Sequence, residues 1–275
     1  MINFGQFHSL YNGTPPPHIP SEESVVNYLI QCNNFGAIKL LIEDPETKTS
    51  LDYNRVFRMS AALGNAKMMA LLLENPDVDP ASDNNYAIKI ASEHGYTEVV
   101  RLLLAHKNVD PAATDNSAII DSSRNGHVDI VSMLLVDSRV NPAAEDNMAI
   151  KLAVQYGKTA VTKSLMEDAR VNMVDESDIL SASRDGYVDT VKLLLTHMKP
   201  SVACGITAVK RATADNRDDI LAVWLQHFKG DINISTYNTF LTVKMTAKVR
   251  NIWRNHLMSH CSATRLKAMK FVFGA

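Results

Sequence analysis

A repeat of about 31 residues is the feature that most restricts how this chain can fold. Similar segments occupy residues 93–106, 124–137 and 184–197, which read EHGYTEVVRLLLAH, RNGHVDIVSMLLVD and RDGYVDTVKLLLTH. One place in each repeat carries a marker residue, and the full series is Gly36, Gly64, Gly95, Gly126, Gly157, Gly186 and Asn216. A period of this length predicts units that cannot bury their apolar faces alone and therefore stack.

Each repeat is predicted to contain two helices joined by a tight turn. In the unit around Gly126, Ala118 and Ile119 precede the glycine, and Ile130 and Leu134 follow it at helical spacing. The marker residue falls where the first helix must end. A left-handed conformation at that place suits glycine and is tolerated by asparagine.

The connection between repeats carries a second marker. Val-Asp-Pro-Ala occurs at 78–81 and 109–112, and Val-Asn-Pro-Ala occurs at 140–143. We expect the proline to end the preceding helix, because it disfavours helix for the residue before it. We also expect the asparagines near the start of the next unit to cap its first helix. These are Asn85, Asn116 and Asn147.

The repeated segments resemble ankyrin repeats. The family pattern Thr-Pro-Leu-His-x-Ala-Ala-x-x-Gly-His corresponds to YAIKIASEHGY at 86–96 and to SAIIDSSRNGH at 117–127, and Glu-Ile-Val-x-Leu-Leu-Leu corresponds to EVVRLLL at 98–104. The resemblance covers about residues 21–230. It implies an all-α ankyrin-repeat solenoid of about seven to eight helix-turn-helix-loop units, which acts as a protein–protein interaction module or adaptor.

The repeat of this chain is shorter than the ~33 residues usual for ankyrin repeats, and its loop is correspondingly reduced. This short form, with Asp-Asn-x-Ala-Ile in the loop, resembles expanded ankyrin families of amoebae, some fungi and giant DNA viruses that infect amoebae. That resemblance implies an adaptor or a virus- or pathogen-encoded factor that acts on a host protein.

The resemblance also implies where a partner protein binds, because solenoids present an extended concave face lined by the first helices and loops. The corresponding positions are Tyr86, Lys89, Glu93, His94, Ser117, Ile120, Arg124, Asn125, Met148, Lys151, Gln155, Tyr156, Leu180, Arg184 and Asp185. Tyr86, Met148 and Tyr156 are suited to anchor an interface. Ile120 and Leu180 stand where neighbouring repeats carry lysine, and either contact with a partner or packing against an adjacent repeat would explain them.

Three segments follow from these patterns. Residues 1–20 are predicted to form an irregular N-terminal arm, residues 21–230 the repeats, and residues 231–275 a basic helical C-terminal cap or a degenerate eighth repeat. Within the cap, a helix is predicted inside 238–260 with one apolar face. The residues of this face are Met245, Val249, Ile252, Trp253 and Leu257.

The net charge of −2 conceals an uneven distribution. The last 32 residues contain no Asp or Glu and carry seven basic residues, which are Lys244, Lys248, Arg250, Arg254, Arg265, Lys267 and Lys270. The rest of the chain carries 21 basic and 30 acidic residues, which disfavours nucleic-acid binding along the repeats. The basic end is open to three interpretations: nucleic-acid binding, binding of an anionic surface or acidic partner, or a solvated face on capping helices.

Motifs of catalysis are missing from the sequence. It contains no Gly-x-Ser-x-Gly, His-Glu-x-x-His, phosphate-binding glycine loop or Cys-x-x-Cys. His256, His260 and Cys261 have the spacing of metal ligands but no clear fourth ligand, so a metal site is not expected. We therefore predict a non-enzymatic protein without a cofactor.

The sequence also bears on location. Three cysteines form an odd, sparse set that indicates a reducing compartment. No run approaches the ~18 apolar residues of a transmembrane helix, and the first residues do not resemble a signal peptide. We expect an intracellular protein of the cytoplasm, with the nucleus left open.

Overall fold

The structure is a computed structural model that describes Leu29 and residues 34–43, 52–172, 174–228 and 246–260. Within these residues, all regular secondary structure is helical. The chain divides into two compact units between Glu145 and Asp146. The predicted all-α architecture of helix-turn-helix-loop units is confirmed.

The helices alternate between two positions in the repeat. The first helices are α2 (Tyr53–Ala62), α4 (Ser82–His94), α6 (Ala113–Asn125), α8 (Ala144–Gln155), α10 (Glu176–Asp185) and α12 (Val202–Ala214). The second helices are α1 (Phe35–Glu43), α3 (Ala66–Leu73), α5 (Thr97–Leu104), α7 (Val128–Val136), α9 (Thr159–Met166), α11 (Val188–His197) and α13 (Asp218–Phe228). A further helix, α14 (Ala247–His260), lies near the C-terminal end.

Within each of the two compact units, the helices pack in two layers, one of first helices and one of second helices. In the first unit, α4 lies between α2 and α6, while α5 lies between α3 and α7. In the second unit, α10 packs against α12, and α11 packs between α9 and α13. The interior of each layer is formed by the apolar positions that recur with the repeat, such as Val100 and Leu103 on α5 or Val191 and Leu194 on α11. Burial of these side chains between repeats supplies the main stabilisation of the stack.

The turn between the two helices of a repeat needs its glycine for two reasons. Gly64 and Gly95 have φ of 69° and 80°, in the left-handed region that is costly for other residues. A Cβ atom on either would also lie 2.6 Å from a ring of the next repeat, Tyr96 over Gly64 and His127 over Gly95. Asn216 takes the same left-handed conformation, with φ of 55°, as predicted.

The prediction that Gly36 marks the first of these turns is wrong. Gly36 lies inside α1, and Asn34 precedes this helix as Asn65 precedes α3. The Oδ1 atom of Asn34 accepts from the backbone N–H of residue 37 at 3.1 Å, and Oδ1 of Asn65 accepts from that of residue 68 at 3.0 Å. Asn34 therefore has the place in this repeat that Asn65 has in the next one, and residue 33 lies outside the described residues.

The asparagines expected to cap the first helices have a different role. Asn85, Asn116 and Asn147 lie in left-handed turns, with φ of 61°, 63° and 62°. The Oδ1 atom of each accepts from a backbone N–H 25 residues later, at 2.8, 2.7 and 2.9 Å. They join the start of one repeat to the loop of the next.

The prolines of the loop do not end the second helices, contrary to the prediction. Helix α3 ends at Leu73 and α5 at Leu104, well before Pro80 and Pro111. Both prolines are buried, and the side chain of Asp79 instead shapes this loop by accepting from the backbone N–H of residue 81 at 3.0 Å. Each proline is therefore a buried part of the loop that connects two repeats.

Helix α14 lies against α13, and both helices carry a tryptophan that makes an equivalent hydrogen bond. The indole N–H of Trp224 on α13 donates to Ser183 Oγ at 2.9 Å, and that of Trp253 on α14 donates to Thr213 Oγ1 at 3.0 Å. Val249 and Leu257 are buried on the same side as Trp253, in agreement with the predicted apolar face, and Ile252 is half-buried. Met245 lies outside the described residues.

Candidate protein interaction surface

In each of the two units, the predicted partner-binding positions lie on the first helices and at their C-terminal ends, and we call this set of residues the first-helix face. We number the repeats by their marker residues, so that the third contains Gly95, the fourth Gly126 and the sixth Gly186. In the third repeat, Tyr86, Lys89 and Glu93 are half-buried and His94 is exposed. The His94 ring stacks on Tyr96 with centroids 5.7 Å apart, and its Nδ1 donates to the carbonyl of residue 90 at 3.0 Å. This part of the face is therefore held in place by contacts within its own repeat.

In the fourth repeat the structure corrects part of the predicted face. Ile120 is only 9% exposed, so of the two explanations given for it, burial supports packing against neighbouring residues. The Ser117 hydroxyl is buried and has no hydrogen-bond partner among the described residues. Asn125 is exposed, but its amide donates to the carbonyl of Glu93 at 2.7 Å and joins two repeats.

A half-buried carboxylate lies between these two repeats. Asp121 pairs with Arg124 at 3.3 Å, and its side chain is only 14% exposed. Burial raises the pKa of Asp121, the charge of Arg124 opposes this increase, and the charge of Glu93 adds to it. Arg124 is thus partly engaged in compensating a desolvated acid of its own helix.

In the second unit, the face exposes two large apolar side chains. Met148 is 37% exposed and Tyr156 is 48% exposed, and Gln155 beside Tyr156 is exposed as well. Lys151 extends to Asp146, with 2.6 Å between Nζ and Oδ2. The result is two separate exposed apolar side chains, Met148 on α8 and Tyr156 in the turn that follows it, with a paired lysine on the same helix.

The sixth repeat contributes a charged end to the face. Arg184 donates to both carboxylate oxygens of Asp185, at 2.9 and 3.1 Å, and to Ser181 Oγ at 3.0 Å. The Arg184 guanidinium beside Asp185 holds the pKa of that carboxyl below its ordinary value. Leu180 is half-buried, so it contributes both to packing and to the surface.

A cleft between α10 and α12 was missed by the sequence analysis. It is lined by Leu180, Ser183, Arg184, Thr207, Ala208, Arg211, Ala212, Asp215 and Arg217. The predicted face stopped at Asp185, although Asn216 already marked one further repeat whose first helix carries Arg211. Continuing the 30-residue spacing from Gly186 to Asn216 would have placed α12 beside α10.

Three of the seven basic residues near the C-terminus lie in the described part of the chain, and all three are exposed. Lys248 pairs with Asp218 at the start of α13, with 2.5 Å between Nζ and Oδ2. Lys248 therefore ties α14 to the repeat before it. Lys244, Arg265, Lys267 and Lys270 lie outside the described residues, as do the predicted arm 1–20 and most of 231–275.

Chemically reactive sites are sparse in the described ranges. No group of three or more His, Cys, Asp or Glu there could hold a metal ion. His256 is buried with its ring edge-on to Trp253, while Cys261 and the His260 side chain lie outside the described residues. Burial raises the pKa of the Cys204 thiol to about 11, so this cysteine is protonated near neutral pH. Among the helices described, none combines the length and the apolar character needed to cross a bilayer.

The comparison with protein families agrees with this architecture. The family model described as ankyrin repeats (3 copies) matches residues 18–115 and 56–148. Residues 18–148 are therefore ankyrin repeats, and the turns, paired helices and repeat period of the other described helices follow the same pattern. Ankyrin repeats are protein–protein interaction modules.

Among solved structures, the chain is similar to the crystal structure of the human ASB11 ankyrin repeat domain. The TM-score is 0.48 at 17% sequence identity, over 62% of this chain and 82% of that chain. A search of the curated proteins found no match.

Proposed function

We propose that this chain is a non-enzymatic interaction module that binds a partner protein through its first-helix face, without Ile120. The observation that carries the proposal is the exposure of Met148 and Tyr156 on α8 and its turn. Large apolar and aromatic side chains of this kind supply most of the binding energy at protein interfaces. Neither has the buried environment that would explain it as part of the core.

The surroundings of Met148 and Tyr156 support recognition of a specific partner. The exposed Gln155 beside Tyr156 supplies hydrogen-bonding groups, and Lys151 supplies charge next to Met148. Met148 is carried by a regular helix and Tyr156 by the turn that ends it, so little backbone order has to be gained on binding. An interface with a polar rim around apolar anchors has this composition.

The test is affinity capture from the native cell with the full chain, followed by quantitative binding of the captured protein. Met148→Asp and Tyr156→Asp each place a charge in the proposed contact, and we expect each to weaken binding at least tenfold. Met258→Asp is a matched control, because Met258 is similarly exposed, at 44%, but lies on α14 outside the first-helix face. Unchanged binding by both variants, or an equal loss in Met258→Asp, would contradict the proposal.

A further inference from the structure

The cleft between α10 and α12 combines a small apolar floor with a basic rim. Leu180 of α10 faces Ala208 and Ala212 of α12 across the cleft. The alanines permit the two helices to approach closely while leaving a gap between them. The cleft has a volume of about 40 Å³, more than the roughly 10–15 Å³ that one water requires and far too little for an aromatic ring.

Arginines dominate the charge around this gap. Arg184, Arg211 and Arg217 line it together with a single acidic residue, Asp215. Asp185, which lies next to Arg184 in the chain, pairs with that arginine, and the charges of Arg217 and Arg211 also act on its carboxylate. The three arginines outnumber Asp185 and Asp215 together, so the surroundings of the cleft keep a positive balance.

Two of the three guanidinium groups retain hydrogen-bonding capacity. Arg211 is exposed, and its side chain makes no hydrogen bond or ion pair with the residues that the structure describes. Arg217 is half-buried, and its guanidinium lies over Gly186 at the repeat turn. A planar guanidinium offers paired N–H donors that match the two oxygens of a carboxylate.

We propose that this cleft binds the side-chain carboxylate of an Asp or Glu of the partner protein, with a small apolar neighbour of that residue on the alanine floor. The inference rests on the proposed function, since it assumes that a partner contacts the first-helix face. It adds the chemistry of the contacting segment, which is acidic. Charge complementarity selects this occupant, because a basic or purely apolar segment would leave the arginines unpaired and partly desolvated.

Tryptophan emission reports directly on this cleft. Ser183 lines it, and the Ser183 hydroxyl oxygen accepts the indole N–H of Trp224 at 2.9 Å. The other tryptophan of the chain, Trp253, bonds instead to Thr213. An occupant of the cleft that shifts Ser183 is therefore expected to change the emission of Trp224.

The test uses a random dodecapeptide display library selected against the full chain. We expect the enriched peptides to carry an Asp or Glu at one shared position, and to bind Arg211→Glu at least about tenfold more weakly than the natural protein. Lys192→Glu is the matched charge reversal, on the exposed side of α11. It should leave the affinity unchanged. A Trp224→Phe variant should retain binding but lose most of the emission change.

Enriched peptides without a shared acid, or with equal affinity for Arg211→Glu and the natural protein, would overturn the inference. Failure to enrich any acidic peptide would overturn it as well. The melting temperature of Arg211→Glu separates lost binding from lost folding, and an Arg211→Gln variant, which lacks the reversed charge, provides a second measurement. None of these results affects the Met148 and Tyr156 contact, which the capture experiment tests separately.

Discussion

Replacement of Gly95 by alanine should lower the stability of the protein, and replacement of Gly36 by alanine should raise it. The sequence had placed both glycines at the equivalent turn of their repeats. At Gly95 an alanine must adopt a φ of 80°, which costs about 1–2 kcal/mol for an L-residue. Its Cβ would also lie 2.6 Å from the His127 ring, and displacement of this ring breaks the bond from His127 Nε2 to the carbonyl of Glu93 at 3.0 Å. Loss of that bond adds about 0.5–1.5 kcal/mol.

The expected loss for Gly95→Ala is therefore about 1.5–3.5 kcal/mol. For Gly36→Ala, the nearest atom to the new Cβ is Asn34 Oδ1 at 3.9 Å, and a helical alanine should stabilise by up to about 1 kcal/mol. Both glycines lie in the first unit, so helical circular dichroism during urea and thermal unfolding measures both. Gly95→Ala should lower the melting temperature by roughly 3–14 °C.

The pair of variants provides its own control, because both add one methyl group to a glycine of the same unit. A loss of stability in Gly36→Ala comparable with that of Gly95→Ala would contradict the placement of Gly36 inside α1. Equal, small changes in both variants would refute the argument that the turn requires a left-handed glycine beneath His127.

Three further variants or treatments test individual contacts. Ser183→Ala should cost about 1–3 kcal/mol, because the buried indole N–H of Trp224 loses its acceptor; an unchanged urea midpoint by tryptophan emission would contradict this. Cys204 should react with iodoacetamide at pH 8 far more slowly in the folded chain than in urea, as measured by mass spectrometry of its peptide, and similar rates would show that its thiol is not protected. The pKa of Asp137 is lowered by its hydrogen bonds from Arg139, so this contribution to stability is present above the ordinary pKa of 3.8 and disappears as pH falls through the lower folded value. Asp137→Asn should thus be less stable than the natural protein at pH 7 by an amount that shrinks below pH 4, and a pH-independent difference would refute the linkage.

The sequence predicted the parts of the fold that depend on local conformation. The helix pairs, the left-handed Asn216 and the buried face of α14 follow from helical spacing and from the preferences of Gly and Asn. Gly36 was misplaced because asparagine also tolerates the turn, so a nearby glycine unrelated to the turn fitted the period almost as well. Asn34 accepts from the backbone N–H of residue 37 as Asn65 accepts from that of residue 68. These hydrogen bonds align the first repeat with the second, and they cannot be read from the sequence.

Features that depend on contacts between repeats were less predictable. The Asn85 amide could cap a helix or bridge to the next loop, and only the distance between repeats selects the bridge. Ile120 differed from its lysine counterparts in the sequence, but its burial is set by neighbouring side chains. The cleft between Leu180 and Arg211 requires two helices from different repeats at close approach, so no single motif indicates it.

The most direct test of the account is site-specific photocrosslinking of the partner in cells. A photoreactive amino acid at position 156 lies in the proposed contact, and the same amino acid at position 258 lies on α14, at a similarly exposed side chain. We expect a crosslinked protein from position 156 that is absent from position 258 and is lost when Met148→Asp is added. Crosslinking of that protein from position 258 alone, or equally from both positions, would contradict binding through the first-helix face.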